Sequence, residues 1–530
     1  MKRSTARGGF YDSNGRGLCS WIFSVDHKRI GLLYLATLLC TFAVGALFGL
    51  LMRLELLTAG LTIMDAQRYN SFFTMHGVTM LFFFIIPAAP SVFGNFFLPI
   101  LIGAKDVAFP RLNLLSWWVF VLAICIAAAA FLTGSGPPDT GWTFYSPYSL
   151  RTSTNVLLGV VAVFVAGLSS ILTGINFVTT VHRLRAPGMG WFRLPLFVWA
   201  IYATAWIQLL ATPIIGITAL MLAAERLFGI GVFDPAKGGD PVLYQHLFWI
   251  YSHPAVYIMI LPGLGIISEI VPVFARKTIF GYKAIVYSSV GIAGLGSLVW
   301  GHHMFVSGYS YTAGVLFSLF TFLVAVPSAI KVFNWVATLH KASIVIDTPL
   351  LYAFAFIFLF AVGGLTGLML GALSMNLYLH DTYFVVGHFH YIKFGGAGFA
   401  FLAGLHYWFP KMAGRMYNRR FANWALLVLF TGFNALYFPM LLLGMQGMPR
   451  RYYDYLPEFA TLQHASIAGS WVLAVGLVLV SGNLAYAFFR GVRAEQNPWG
   501  GATLEWQAPS PPPEENFDTP PDTGRGPYEY

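Results

Sequence analysis

Charge is what this sequence lacks most. Of its 530 residues only 10% are Asp, Glu, Lys or Arg, while 57% are hydrophobic; a soluble domain carries about 25% charged residues. That shortage excludes a soluble globular chain. Cysteine is nearly missing as well. Cys19, Cys40 and Cys125 lie far apart, so there is no C-x-x-C pair and no C-x-x-C-H attachment site. No segment between the apolar runs is long enough to be a soluble domain, and the N-terminus lacks the cleavage pattern of a removed signal peptide. A repeat between the two halves, expected of many transporters, is not visible. The net charge of +10 is spread over the ends of apolar runs and marks no nucleic-acid surface.

What is present is apolar length. Runs near the roughly 20 residues needed to span a bilayer recur at 29–52, 74–101, 113–133, 153–181, 195–224, 243–272, 283–301, 314–337, 349–373, 384–409, 421–444 and 463–489. The expected fold is an all-α polytopic membrane protein, a bundle of twelve transmembrane helices filling residues 21–495. Residues 1–20 (Arg/Gly-rich) and 505–530 (Pro/Asp/Glu-rich) read as a flexible N-terminal tail and a disordered C-terminal tail. With both ends on one side, 22 of the 31 basic residues fall on that side and seven on the other; Lys331 and Lys393 lie within spans. The positive-inside rule then makes both termini cytoplasmic.

Histidine is scattered through this apolar chain, and that is its chemical signal. On the orientation above, His76, His302, His303, His388 and His390 all sit near the outer ends of their spans. His253 lies about ten residues into its own, roughly 15 Å deep at 1.5 Å per residue. Imidazole in hydrocarbon is expensive unless paired or coordinated. Any one of these could be a core histidine bonded to a carbonyl, but independent core histidines have no reason to share a depth. His388 and His390 point about 200° apart on a helix, as two groups on opposite flanks require. His253 and Tyr257 share a face at i, i+4, and His302-His303 adds two more nitrogens, a set suited to copper. With no cysteine pair available, haem would be held by histidine alone.

These residues sit in stretches that carry a family resemblance: WIFSVDHKRIG, TMHGVTMLFFFIIP, GNFFLPILIGAKDVAFPRLN, FDPAKGGDPVLYQHLFWIYSHPAVYIMILPG, VWGHHMF, KVFNWVATLH, LHDTYFVVGHFHY and GMPRRYYDY. Running nearly end to end, they resemble catalytic subunit I of the haem–copper terminal oxidases, in the A-type branch that includes mitochondrial cytochrome c oxidase. The resemblance implies reduction of O2 to water, with proton uptake and pumping. It makes His76 and His390 ligands of a low-spin haem and His388 the ligand of a high-spin haem (haems a and a3). His253, His302 and His303 become the copper B ligands, with Tyr257 cross-linked to His253. His380 and Asp381 would bind magnesium or manganese at a subunit interface. Arg450 and Arg451 would pair with haem propionates, Arg53 with a formyl group, and Glu55 would border a calcium or sodium site.

The resemblance also implies two proton paths. One runs through Lys331, Ser328 and Ser268 toward Tyr257. The other starts at Asp106 and passes Asn95, Asn113, Asn176, Ser169 and Ser170. This second path departs from the commonest pattern, because Ala255 stands where a glutamate usually ends it; Tyr251 and Ser252, in a YSHP sequence, would replace the carboxyl. Implied partners are a subunit II with a dinuclear copper site, a subunit III, small subunits, and cytochrome c or a fused c-type haem domain as donor. A bacterial plasma membrane is expected rather than a mitochondrial one. Tyr257 and Lys331 argue against a nitric oxide reductase. Phe48 and Arg68, where ubiquinol-using relatives carry aspartate and histidine, argue against a quinol oxidase. A non-redox transporter is the remaining alternative.

Overall fold

The structure, a computed structural model, describes residues 9–12, 17–519, 521–524 and 526–529. Its long helices are α1 (His27–Glu55), α2 (Ala66–Leu101), α3 (Pro110–Leu132), α4 (Val156–Arg183), α5 (Leu196–Phe228), α6 (Pro241–Ala275), α7 (Tyr282–Gly296), α8 (Tyr311–Leu339) and α9 (Thr348–Gly371). α10 runs as Tyr383–His390, a π-helical Tyr391–Gly398 and Phe399–Ala413, followed by α11 (Arg419–Met445) and α12 (Ala460–Arg490). Many begin where a short polar side chain accepts from a free backbone N–H: Asp26, Asp65, Asn155, Asp240, Ser310, Asp347 and Asn418 are such caps.

Ten helices among the described residues are long and apolar enough to cross a membrane, against twelve expected spans. α7 and α10 are the two outside that set. α7 has 15 residues, or about 22 Å, short of the roughly 30 Å hydrocarbon layer. The apolar run continues to 301, but the helix stops at Gly296 and the chain turns into a 3-10 segment, Trp300–Met304. α10 carries Lys393 and Lys411 and is rewound immediately after His390. Such π segments redirect a helix locally.

α2 and α6 occupy the middle of the bundle, almost wholly buried, whereas α1 and α8 lie at its rim. Rim helices turn large apolar side chains outward; Leu210, Phe333 and Val478 are 70% exposed or more. A water-soluble surface does not tolerate so much apolar exposure, and the chain is a multi-pass membrane protein. α11 and α12 approach at backbone distance because a Cβ at Gly432 or Gly469 would meet the other helix's main chain at 2.3 Å.

The C-terminal segment differs from the disordered tail expected of it. Glu505 accepts from the Trp408 indole at 3.2 Å, Trp506 donates to Tyr407 Oη at 2.8 Å, and the Asn516 amide donates to the Ala104 carbonyl at 2.8 Å. Tyr528 Oη donates to Glu269 Oε1 at 2.7 Å. Composition misleads here because a few aromatic and amide side chains suffice to satisfy polar groups at helix ends. At the other terminus, Phe10 is fully buried and its N–H meets the Pro512 carbonyl at 2.9 Å; residues 1–8 and 13–16 of the expected N-terminal tail lie outside the described residues.

Candidate metal centre

Three imidazoles come together from two segments. His253 projects from α6, four residues before Tyr257, and His302 and His303 come from the 3-10 turn after α7. One nitrogen from each lies within 4.8 Å of the others. His253 Nδ1 is 3.0 Å from His303 Nε2, while its Nε2 is 2.8 Å from the Tyr257 hydroxyl. One side of the His253 ring thus faces the cluster and the other faces the phenol. His303 is stacked on Trp249 at 3.7 Å, and His302 Nδ1 is 3.0 Å from Thr321 Oγ1. No carboxylate belongs to this cluster among the described residues. A nitrogen-only trio of this kind suits copper or zinc, not a hard oxygen-seeking cation.

Gly296 makes room for the phenol. A Cβ there would lie 2.4 Å from Tyr257 Cε2, so no side chain is tolerated without moving the ring. We expect Gly296→Ala to fold and to displace the Tyr257 ring from its hydrogen bond to His253. A density map of the variant, with its bound copper or zinc measured, checks this.

His388 and His390 separate as their spacing requires. His388 turns toward α9, its Nδ1 3.0 Å from the Gly363 carbonyl and 3.1 Å from Thr366 Oγ1. His390 turns the other way and stacks on Tyr437 of α11. His390 and His76 line one cavity together with Arg53, Tyr383, Lys393, Arg450 and Arg451. Its volume, about 260 Å³, is far more than the 10–15 Å³ that one water needs. Both rings are fixed through Nδ1 to carbonyls, of Gly45 at 2.7 Å and Val386 at 2.9 Å; such a bond orients an imidazole whose other nitrogen binds metal. Arg53 donates to Tyr383 Oη at 3.4 Å, and its second terminal nitrogen is buried without a partner. That orphan donor fits an acceptor on an occupant of the cavity.

Just before α10, His380 Nε2 is 3.8 Å from Asp381 Oδ2, and Arg450 Nε donates to Asp381 Oδ1 at 2.7 Å. Burial works against the Asp381 carboxylate, but Arg450 and Arg451 hold its pKa below the usual range. Burial beside Arg450 brings Arg451 down to about 10. Glu55 accepts from the N–H groups of Thr62, Ile63 and Met64 at 2.8–3.0 Å and so shapes that loop.

The lysine file is arranged differently from the expected one. Lys331, 1% exposed, donates to Ser289 Oγ of α7 at 2.7 Å. Ser268 instead accepts from the Trp335 indole at 3.0 Å, and Ser328 donates to the Val324 carbonyl at 3.2 Å. Helical serines commonly turn back onto their own preceding turn, which sequence spacing does not reveal. Ser289 lies outside the expected file, although a Ser288-Ser289 pair in an apolar helix is a visible signal.

In the other file, Asn176 is committed to the main chain of Phe109, and both amide atoms of Asn113 are buried without partners, as is Asn95 Oδ1. Ser169, Ser170 and Tyr251 meet on a small cavity of about 30 Å³ that also takes in Gln208. Unpartnered Ser170 Oγ and Gln208 Oε1 and that volume suit one or two waters. Ser252 Oγ is likewise buried and unpartnered.

Asp106 lies in the loop before α3, half-buried. Burial, reinforced by Asp26, pushes its carboxyl up to about 7, against the Val107 N–H and Lys28. A raised folded-state pKa adds stability below the unfolded value near 3.8, and this is lost as pH rises through 7. Asp106→Asn should therefore raise thermal stability at pH 8 by the order of 1 kcal/mol, partial exposure screening the rest, with no gain at pH 4. Melting curves at the two pH values check it.

A family model described as "Cytochrome C and Quinol oxidase polypeptide I" matches residues 29–479. Cytochrome c oxidase subunit 1 of Thermostichus vulcanus is 43% identical over 96% of this chain and 92% of its own length. The same subunit of Cereibacter sphaeroides is 41% identical over 94% of each. Among solved structures, a heme-copper terminal oxidase dimer aligns with TM-score 0.76 over 88% of this chain and 85% of the other, at 21% identity, a likeness of fold.

Proposed function

The chain belongs to the cytochrome c and quinol oxidase polypeptide I family, and from that membership we propose that His253, His302 and His303 hold copper, His388 holds the high-spin haem iron, and His76 and His390 hold the low-spin haem iron. It is the oxygen-reducing subunit of a terminal respiratory oxidase, an oxidoreductase that works in a complex with other subunits and whose family carries haem and copper. The balanced reaction takes O2, four electrons and four protons to two waters. When bound, the two haems and the copper supply electron transfer and the place where O2 is reduced.

The chain's own residues supply position and protons. Gly363 and Thr366 orient the His388 ring, and Gly45 and Val386 orient the two low-spin ligands. Tyr257, hydrogen-bonded to His253, gives up the phenolic proton and one electron as the O–O bond breaks. Lys331 and Ser289 carry protons toward it, with Ser268 and Ser328 beside them. Asp106 takes protons from the cytoplasmic side, and waters held by Ser169, Ser170, Tyr251 and Ser252 stand in for the carboxyl that Ala255 lacks. Arg450 and Arg451 receive propionates, Arg53 receives the formyl group of haem a, and His380 with Asp381 offers two ligands to magnesium or manganese.

Cytochrome c, feeding a copper centre on subunit II, is the proposed donor, alongside a subunit III. Phe48, packed against Phe72 and Phe131, supports this over a quinol donor, because it leaves no carboxylate at that position. Twelve spans with cytoplasmic termini in a bacterial plasma membrane complete the proposal. The single observation that carries the reading is the carboxylate-free trio of imidazoles with a phenol on the far nitrogen of one. The test is a pyridine haemochrome spectrum of the purified complex with iron and copper analysis. Two haems per chain, and copper beyond the needs of subunit II, are expected. Iron in place of that copper would mean a nitric oxide reductase, and a colourless protein would overturn the reading altogether.

A further inference from the structure

Lys393 is the cation in the wall of the large cavity that the oxidase reading leaves without a task. It lies three residues beyond His390, in the π-helical part of α10, half-buried and facing the cavity rather than the protein surface. An ammonium inside a membrane-spanning segment is costly unless something pairs with it. Its recorded neighbours are aromatic faces: Nζ stands 4.5 Å from the centroid of Phe389 and 5.3 Å from that of Trp142. Among the described residues, no carboxylate forms an ion pair with it.

The charges around the cavity are one-sided. Arg53, Lys393, Arg450 and Arg451 line it, and no aspartate or glutamate does. Asp381, outside the wall, pairs with Arg450. Three cations therefore face a largely apolar space without a carboxylate from the protein. Cation–π contact with an aromatic face offsets only part of an ammonium's lost hydration. An anionic group on the occupant, where Lys393 reaches it, would supply the remaining compensation.

We propose that Lys393 is a further cationic anchor beside Arg450 and Arg451, pairing with a carboxylate of the porphyrin that His76 and His390 hold. This rests on the oxidase reading and extends it to a residue outside the implied set of porphyrin contacts. Trp142 places the anchor. Its ring meets Trp249 at 5.7 Å, and Trp249 is stacked on His303. Lys393 thus sits in the part of the cavity wall that leads, through Trp142 and Trp249, toward the imidazole trio. A positive charge there favours the reduced haem, which carries one more electron, so Lys393 raises the midpoint potential of the low-spin haem.

The test uses the assembled complex with Lys393→Met, which keeps the length and removes the charge, and Lys393→Arg, which keeps the charge. Three readouts are needed: haem content per chain, the low-spin midpoint by spectroelectrochemical titration, and the carboxylate bands of propionate-labelled haem in redox-difference infrared spectra. Lys393→Met should retain both haems, shift the midpoint to lower potential and move one carboxylate band, and Lys393→Arg should restore both signals. Midpoint and bands identical to the unmodified complex in Lys393→Met would overturn the proposal. Should Lys393→Met lose the low-spin haem, recovery in Lys393→Arg supports a requirement for charge. Loss in both would reduce the lysine to a space-filler and end the proposal. Absence of haem from the unmodified complex would instead sink the oxidase reading itself.

Discussion

Tyr257→Phe is expected to leave both haems and the copper in place and to abolish oxygen turnover. The phenol oxygen lies 2.8 Å from His253 Nε2, on the side of the ring turned away from His303, so its loss removes no candidate metal ligand. The ring itself stays, seated against Gly296, where a Cβ would collide with it. What disappears is one O–H, and with it the proton and electron that the proposed role assigns to this phenol. A positioned proton donor is worth about 10²–10⁴-fold in rate, so turnover should fall by at least the order of 10²-fold. Haem spectrum, copper content and oxygen uptake on one preparation settle the matter. Turnover within a factor of two of the unmodified enzyme, with metals intact, would remove Tyr257 from the mechanism.

The second large effect belongs to Lys331. A buried ammonium whose one hydrogen bond among the described residues goes to Ser289 is costly to keep, and its presence in a helix with no other charged residue needs a purpose. Lys331→Met should slow reduction of the high-spin haem by the order of 10²-fold, while the low-spin haem is reduced at its usual rate and keeps its spectrum. Ser289→Ala should give a smaller slowing of the same step, because the ammonium keeps its charge but loses its fixed place. Stopped-flow reduction followed separately at the two haems reads both variants. Equal slowing of the two haems would point to general damage and refute a proton-delivery role.

Much of this arrangement of side chains is legible in the sequence. Imidazole and isolated ammonium groups stand out in a chain with 10% charged residues because hydrocarbon penalises each of them. The opposite headings of His388 and His390 follow from helical pitch, and the structure sends one to α9 and the other to Tyr437. The i, i+4 relation of His253 and Tyr257 likewise becomes a contact.

Packing decided the rest. Hydropathy cannot show that α7 ends at Gly296 so that a tighter turn can present His302 and His303. Nor can it show that Lys331 selects Ser289 over Ser268, since that depends on how α7 and α8 are rotated against each other. The C-terminal segment reads as polar and Pro-rich, yet Trp506 and Tyr528 find partners that lie more than 90 residues away in sequence. The sequence by itself determined the class of molecule and the candidate ligand types, because desolvation costs act on single residues wherever they lie. The tertiary structure decided which polar groups meet, because hydrogen bonds and cavities depend on the relative rotation and depth of helices that composition leaves free.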